Sequence, residues 1–160
     1  MAKPHSRSQL LGPDCSIERS LQVLSDRWSF LIMRDALMAG IERFGDFQRS
    51  LEIAPNILTA RLEHLVESGL MIKRSYQEPG ARRRQSYHLT QAGRDLALPF
   101  AALQQWGDEH EPHRDGPSME RRSAAGASLH VGLLDDADRP VRTGDLAFVP
   151  TARMLGREPV

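Results

Sequence analysis

The chain has 160 residues, 40% hydrophobic and 26% charged, which is typical of a soluble globular protein with one domain or one domain and a tail. No apolar run approaches the roughly 18 residues that a membrane-spanning helix needs, and residues 1–14 lack the apolar segment of a secretory signal. A single cysteine, Cys15, excludes an intramolecular disulfide and a cysteine-rich zinc site. We therefore expect a cytoplasmic protein with no membrane partner.

The formal net charge is zero, but the positive charges are unevenly distributed along the chain. Between Pro55 and Arg94 there are seven basic and three acidic residues, and three of the bases are the consecutive Arg82, Arg83 and Arg84. A local basic stripe is what contact with nucleic-acid phosphates requires, because each neutralised phosphate releases counterions. A solvated charged loop is the alternative interpretation of the same residues.

Helices are predicted over most of the first half of the chain. Apolar residues recur at steps of three and four over residues 15–38, and Ser25 or Asp26 is expected to interrupt this helix and cap a second one. The pattern predicts a short helix over residues 44–51 and a further helix over residues 55–68, with a proline suited to its first turn. The last of these helices has an apolar face and a face of small or polar residues.

Two strands and a turn follow. Residues 70–77 and 85–89 are rich in β-forming residues, and Glu78-Pro79-Gly80-Ala81 is a turn signal between them. The predicted product is a β-hairpin with three arginines near its tip.

The rest of the chain is predicted to be a helix and a tail. Thr90 is expected to cap a helix over residues 91–107, with a break at Leu98-Pro99. Residues 111–126 carry prolines, glycines and charges, which is typical of a linker. Residues 129–149 contain alternating apolar residues and are a candidate small hairpin, too short for its own core.

This order of elements predicts a mainly α fold with a small β-hairpin, the winged helix-turn-helix. The expected domains are a flexible N-terminus at 1–14, a winged-helix DNA-binding and dimerisation domain at 15–110, and a linker and tail at 111–160. The major groove admits one helix, and the second helix of this motif enters it with its N-terminal residues leading. The predicted contacts are Pro55, Asn56, Thr59, Ala60 and Arg61 on that helix, and Arg82, Arg83 and Arg84 on the wing.

A protein–protein interaction module with the same fold is the alternative hypothesis. The two are separated by salt dependence, because binding that neutralises several phosphates weakens steeply with salt. Apolar residues at both ends of the domain exceed what one small winged helix buries by itself, so we also predict a homodimer that reads two half-sites. The predicted interface residues are Ile17, Leu21, Phe100, Leu103 and Trp106.

Six separated blocks of sequence resemble the HxlR-type transcriptional regulators. They are Cys15–Arg19, Trp28–Leu37, Arg43–Phe47, Ile53–Leu70, Tyr87–Gly93 and Trp106–Asp108. Their order and spacing extend the resemblance over about residues 15–110. It implies a dimeric winged-helix DNA-binding protein whose terminal helices form the dimer interface, with duplex DNA and a second copy of the chain as partners.

The chain departs from the usual family pattern at two places. Ala54 stands where members often carry serine, so a helix N-cap worth about 1 kcal/mol is absent. Where members often read Pro-Arg-x-Glu-Tyr, this chain has Arg83-Arg84-Gln85-Ser86-Tyr87, which makes the wing more cationic. These differences favour phosphate binding by the wing and leave its sequence preference open.

Cys15 is a candidate redox sensor. It lies at the start of the first predicted helix, where the dipole and free N–H groups favour the thiolate. The resemblance implies a thiol switch, since some members use the cysteine at this position in that way, through an intersubunit disulfide or an adduct with a small thiol or electrophile. The neighbouring anions Asp14 and Glu18 disfavour the thiolate, and a lone cysteine is often a small core residue.

The sequence indicates no catalytic, metal or cofactor site, and we expect that the protein is not an enzyme. It has no recognisable nucleophile–base motif, paired-carboxylate site or glycine-rich phosphate loop. His88 is expected at a strand surface. His110 and His113 lie among acidic residues, but no spacing enforces a metal geometry, so a solvated linker is the favoured interpretation. The operator and any small-molecule effector stay unspecified.

Overall fold

The computed structural model describes residues 15–24 and 26–151. The predictions for residues 1–14 and for Ser25 as a cap lie outside these ranges. The chain divides into two compact units, with a boundary between Phe100 and Ala101, and each unit is described by itself. In the described ranges, no helix has the length and apolar character needed to cross a membrane.

Four helices open the first unit, as the sequence predicts. They are α1 (Ser16–Leu24), α2 (Arg27–Ala39), α3 (Phe44–Leu51) and α4 (Pro55–Glu67). Asp26 caps α2, because its side chain accepts hydrogen bonds from the backbone N–H groups of Trp28 and Ser29. Gly40 ends α2 with a left-handed φ of 62°, a conformation in which glycine has no steric penalty.

A two-stranded antiparallel hairpin and two helices complete this part of the chain. The elements are β1 (Met71–Tyr76), β2 (Arg84–Leu89), α5 (Gln91–Asp95) and α6 (Ala97–His110). Thr90 caps α5 as predicted, accepting a hydrogen bond from the Gly93 N–H. The break between α5 and α6 falls at Leu96 rather than at Leu98-Pro99, because Pro99 lies in the first turn of α6, where its missing N–H costs nothing.

The core of the first unit forms where α2, α3, α4 and the hairpin pack together. Its fully buried members are Ile32, Met33, Phe47, Leu58, Leu62 and Leu65. From the hairpin, Met71 and Tyr87 contribute to it, whereas Ile72 points to the other face of the sheet and is 40% exposed. Phe100 closes the core at the start of α6, with its ring stacked on Phe30 at a centroid distance of 4.2 Å.

The backbone at the start of α5 lies very close to the residues that lead into β1. Thr90 donates from its N–H to the Leu70 carbonyl at 3.0 Å, and its hydroxyl donates to the Gly69 carbonyl at 2.7 Å. Gly93 is buried directly against this point, and a Cβ placed on it would lie 2.2 Å from the Leu70 carbonyl oxygen. The contact therefore requires glycine for space.

The second unit is more ordered than its linker-like composition suggests. Glutamines on α6 bind the tail: Gln104 donates to the Met119 carbonyl at 2.7 Å, and Gln105 exchanges two hydrogen bonds with the backbone of Val131. The predicted hairpin is present as β3 (Leu133–Leu134) and β4 (Pro140–Val141), followed by a 3₁₀ turn over Thr143–Asp145. Because the tail packs on the later part of α6, the units divide within that helix, ahead of the composition change after Gly107.

Candidate nucleic-acid interface

The α4 helix presents its leading end and one face to solvent. Pro55 occupies the first position, and Asn56, Thr59 and Ala60 are exposed, while Leu58 on the opposite side is fully buried. The Thr59 hydroxyl donates to the Pro55 carbonyl at 2.9 Å, which leaves its oxygen lone pairs available to accept a bond. These four residues lie where the sequence predicts them.

The N-terminus of α4 has no side-chain cap. Ala54 is in an extended conformation, with φ −62° and ψ 136°, and makes no capping hydrogen bond. The first backbone N–H groups of a helix have no intrahelical partner, and together with the helix dipole they favour a negatively charged group. The leading end of α4 is therefore electrostatically suited to approach a phosphate backbone.

The angle between α3 and α4 is fixed by a short, well-packed connection. Glu52 ends α3 in a left-handed conformation with φ 49°, and the next residue, Ile53, is buried. Behind this turn, the buried carboxylate of Asp35 on α2 accepts hydrogen bonds from the Ser50 hydroxyl at 2.6 Å and from Arg34 Nε at 2.8 Å. The first helix of the motif is thereby attached to α2.

The predicted wing residues are fully available. Arg82, Arg83 and Arg84 are exposed at the tip and return of the hairpin, and no hydrogen bond or ion pair within the described residues engages their guanidinium groups. Guanidinium groups can hold two phosphate oxygens at once. The wing therefore carries three positive charges that intrachain acids do not neutralise.

A third strand-like segment anchors the hairpin, and the sequence analysis did not predict it. The Tyr87 N–H donates to the Glu42 carbonyl at 2.7 Å, and Arg43 forms an isolated antiparallel bridge with Ser86. Arg43 also donates from Nη1 to a Glu78 carboxylate oxygen at 2.8 Å, and its guanidinium lies 4.9 Å from the centroid of the Tyr76 ring. A two-residue strand has no detectable period, so only the fold reveals it.

A groove of about 390 Å³ separates α4 from the wing. Its lining residues are Phe44, Gly45, Thr59, Tyr76, Arg84, Gln85 and Tyr87. At the base of the groove, burial raises the pKa of the Tyr87 phenol above its usual 10.0, with a smaller contribution from the Glu63 carboxylate. The groove joins a predicted base-contacting residue, Thr59, to a predicted phosphate-contacting residue, Arg84.

Arg61, a predicted DNA contact, lies beside an acidic residue of its own chain. Its Nε atom lies 3.1 Å from the Asp26 Oδ2 atom, and its side chain is 38% exposed. An arginine that forms this intrachain ion pair is not equivalent to the unpaired arginines of the wing.

The predicted dimer-interface residues do not all share one environment. Exposed fractions are 68% for Ile17, 57% for Leu21, 51% for Leu103 and 54% for Trp106. Phe100 is only 3% exposed. The prediction of Phe100 at an interface between subunits is corrected, because its ring is buried in the core of its own chain.

The remaining candidate residues are polar surface groups. Cys15 is a free thiol, partly exposed immediately before α1. His88 is partly buried, with Nδ1 2.9 Å from a Glu42 carboxylate oxygen and Nε2 2.9 Å from the Ser86 hydroxyl, so it braces the third strand-like segment. The His113 ring accepts a hydrogen bond from the Asp115 N–H at 3.2 Å, and no group of three or more potential metal ligands occurs within the described ranges.

Comparison with known proteins gives a consistent family assignment. The profile of the HxlR-like helix-turn-helix family matches residues 23–115. An uncharacterized HTH-type transcriptional regulator of Mycobacterium tuberculosis is 41% identical over 107 residues, covering 67% of this chain. The chain spans 66% of the length of that relative.

Solved structures extend the similarity to the fold. The crystal structure of PA1607, described as a putative transcription factor, matches 90% of this chain and all of its own, with a TM-score of 0.74 and 33% identity. The redox regulator HypR in its reduced form matches 59% of this chain and 92% of its own, with a TM-score of 0.52 and 25% identity. The winged helix-turn-helix prediction is confirmed by these neighbours.

Proposed function

The chain belongs to the HxlR-like helix-turn-helix family of transcriptional regulators, and from that membership we propose that it binds duplex DNA sequence-specifically as a homodimer. The leading face of α4 enters the major groove, with Asn56, Thr59 and Ala60 reading base edges. Arg82, Arg83 and Arg84 on the wing hold the adjacent phosphate backbone. A two-fold dimer places two such units on two half-sites.

The observation that carries this proposal is the pairing of an open helix face with an unneutralised wing. Asn56, Thr59 and Ala60 at the leading end of α4 are exposed, and their small or hydrogen-bonding side chains approach base edges without steric conflict. Arg84 of the wing lines the same groove as Thr59 of α4. A surface for protein contact has no need for three unpaired arginines beside an uncapped helix N-terminus.

The salt dependence of duplex binding tests the wing. We expect the triple variant Arg82→Ala, Arg83→Ala, Arg84→Ala to bind all duplexes more weakly, and each lost phosphate contact to reduce the slope of log K against log salt by about 0.9. The matched control removes three arginines of the second unit: Arg114, Arg139 and Arg142. Equal slopes in the two triple variants, or no salt-dependent binding by the wild type, would favour the protein-interaction alternative.

Selection of bound duplexes from a random pool tests the helix. Asn56→Ala and Thr59→Ala are expected to relax sequence preference, with a loss of about 1–3 kcal/mol against the preferred duplex and little change against others. Uniform weakening on all duplexes would assign these residues to the phosphate backbone instead.

The proposed dimer rests on apolar side chains that stay exposed among the described residues. On α1, Ile17 and Leu21 lie four residues apart on one helix face and are both more than half exposed. We expect Ile17→Glu with Leu21→Glu to give a monomer by sedimentation velocity, and Gln22→Glu, on another face of α1, to leave the dimer intact. A monomeric wild type would refute the dimer but would not affect the proposed DNA contacts of α4 and the wing.

Cys15 is proposed as a thiol switch on this regulator, supported by its partial exposure and by the similarity to HypR. Two Cys15 thiols from two protomers lose two protons and two electrons to an oxidant such as diamide, and their sulfurs form one disulfide. We expect diamide to change the duplex affinity of the wild type and to leave Cys15→Ser unaffected. Equal affinity of the wild type before and after treatment would remove the switch.

A further inference from the structure

The α4 helix has a polar attachment to the chain in addition to its apolar face. Arg61 and His64, three residues apart, lie on the same side of the helix. Arg61 Nε is 3.1 Å from Asp26 Oδ2, and His64 Nε2 is 2.9 Å from the Val23 carbonyl oxygen. Both partners belong to the segment where α1 ends and α2 begins.

The Asp26 carboxylate is held by hydrogen bonds of its own, and Arg61 faces it as an ion pair in which Nε lacks hydrogen-bond geometry. Its Oδ1 atom accepts from the Trp28 N–H at 2.7 Å, and its Oδ2 atom accepts from the Ser29 hydroxyl at 3.1 Å. The carboxylate therefore serves as the cap of α2 and as the counter-ion of Arg61. A charge held by several hydrogen bonds defines the place of its partner better than a mobile surface acid does.

The His64 side chain bonds to the Val23 carbonyl, a group that has no hydrogen-bond donor within α1. The last four carbonyls of an α-helix have no intrahelical donor, and Val23 is the penultimate residue of α1. A ring nitrogen that faces a carbonyl oxygen at 2.9 Å must carry the hydrogen, so Nε2 of His64 is the donor. The half-buried C-terminal end of α1 is thus tied to the second half of α4.

We propose that Arg61 and His64 are positioning residues for DNA recognition: they set the orientation in which α4 is presented by tying it to the α1–α2 junction. Arg61 acts through Asp26 and not through a phosphate. The same two contacts make the orientation of α4 depend on the position of α1. This inference rests on the proposed DNA binding, which the experiment below tests separately.

A double-mutant cycle with a salt series distinguishes a positioning arginine from a phosphate contact. Asp26→Asn removes the charge but keeps the α2 cap, because asparagine caps as well as aspartate. We expect Arg61→Gln and Asp26→Asn each to weaken binding to the preferred duplex about threefold to tenfold. The double variant should lose no more affinity than whichever single variant binds more weakly. The slope of log K against log salt should stay as in the wild type.

Two results would overturn the proposal. One is a fall of about 0.9 in the salt slope for Arg61→Gln, with Asp26→Asn binding like the wild type, which is the pattern of a phosphate contact. The other is full additivity of the two losses, because side chains without a shared interaction contribute independently.

His64 supplies a second, independent variant. His64→Phe keeps a ring but removes the donor, and is expected to weaken specific binding, whereas His64→Gln, which retains an N–H donor, should restore most of it. Equal affinities of the two variants for the preferred duplex would show that the hydrogen-bond donor makes no difference, against a positioning role for the Val23 contact.

A measurement on the free protein tests the contact between Asp26 and Arg61 without DNA. The cycle of Asp26→Asn and Arg61→Gln is repeated with thermal unfolding as the readout, where a real ion pair gives non-additive effects. Additive effects would refute the link whatever the DNA result. Non-additive effects in a protein that binds no duplex would instead refute the proposed function, and the positioning role with it.

Discussion

Replacing Gly93 with alanine should destabilise the winged helix strongly, although it adds a single methyl group. The new Cβ would lie 2.2 Å from the Leu70 carbonyl oxygen and 3.1 Å from Leu89 Cδ2, well inside van der Waals contact. Relief requires a backbone shift of almost 1 Å at a carbonyl that also accepts a hydrogen bond from the Thr90 N–H. Overpacking a buried site typically costs about 1–3 kcal/mol, and because the obstacle is backbone we expect a value near 3 kcal/mol.

The matched control is Gly45→Ala in α3, where no atom lies within 4 Å of the added Cβ. Alanine is favoured over glycine in a helix by about 0.5–1 kcal/mol, so this variant should be slightly more stable than the wild type. For a chain of this size 1 kcal/mol changes the melting temperature by about 2–4 °C, which predicts a fall of roughly 6–12 °C for Gly93→Ala and a small rise for the control.

Thermal unfolding followed by circular dichroism, at one fixed protein concentration, measures both variants. An unchanged or higher melting temperature for Gly93→Ala would refute the reasoning, since it would mean that α5 does not approach the start of β1 as closely as described. A loss of stability in both variants would show that glycine is needed in these helices for some reason other than space.

Three further outcomes follow from single contacts. Ala54→Ser supplies the missing N-cap of α4 and should stabilise the protein by about 1 kcal/mol in urea unfolding; no change would mean that the serine does not reach the free N–H groups. The raised pKa of Tyr87 favours the neutral phenol in the folded state. Its contribution to stability is therefore present below the unfolded pKa of 10.0 and is lost as the pH rises above that value. The Tyr87→Phe variant should lose less stability than the wild type between pH 9 and about 11. Ser50→Ala leaves the buried Asp35 carboxylate with one donor fewer and should cost about 1–3 kcal/mol, measured by the urea midpoint, whereas a neutral effect would indicate that water replaces the hydroxyl.

The helices and their ends could be predicted because their signals are local. Asp26 and Thr90 act on backbone groups within a few residues, so their types alone indicate where helices start. Pro99 gave a misleading signal, because a proline marks either a break or a first turn and the sequence does not distinguish the two.

The features that were missed depend on residues far apart in the chain. The positive charge of Arg61 indicates that it needs a partner, but not that Asp26 lies beside it in the fold. An apolar stripe shows that a helix face is covered, but not by which chain, and Phe100 was therefore placed at a subunit interface when it completes its own core. Pairing of this kind is decided by tertiary packing and leaves no periodic signature.

The third strand-like segment covers only one side of the hairpin. Glu42 and Arg43 pair with β2, so within the described residues β1 keeps an open edge of unsatisfied backbone groups. Such an edge is a template for sheet extension between molecules, and lysine and arginine along it oppose that association by charge repulsion and hydration. Lys73 and Arg74 are both exposed on β1. Two hairpins that paired through their β1 edges would bring these cations close together. Their repulsion would oppose aggregation of the regulator through its wing.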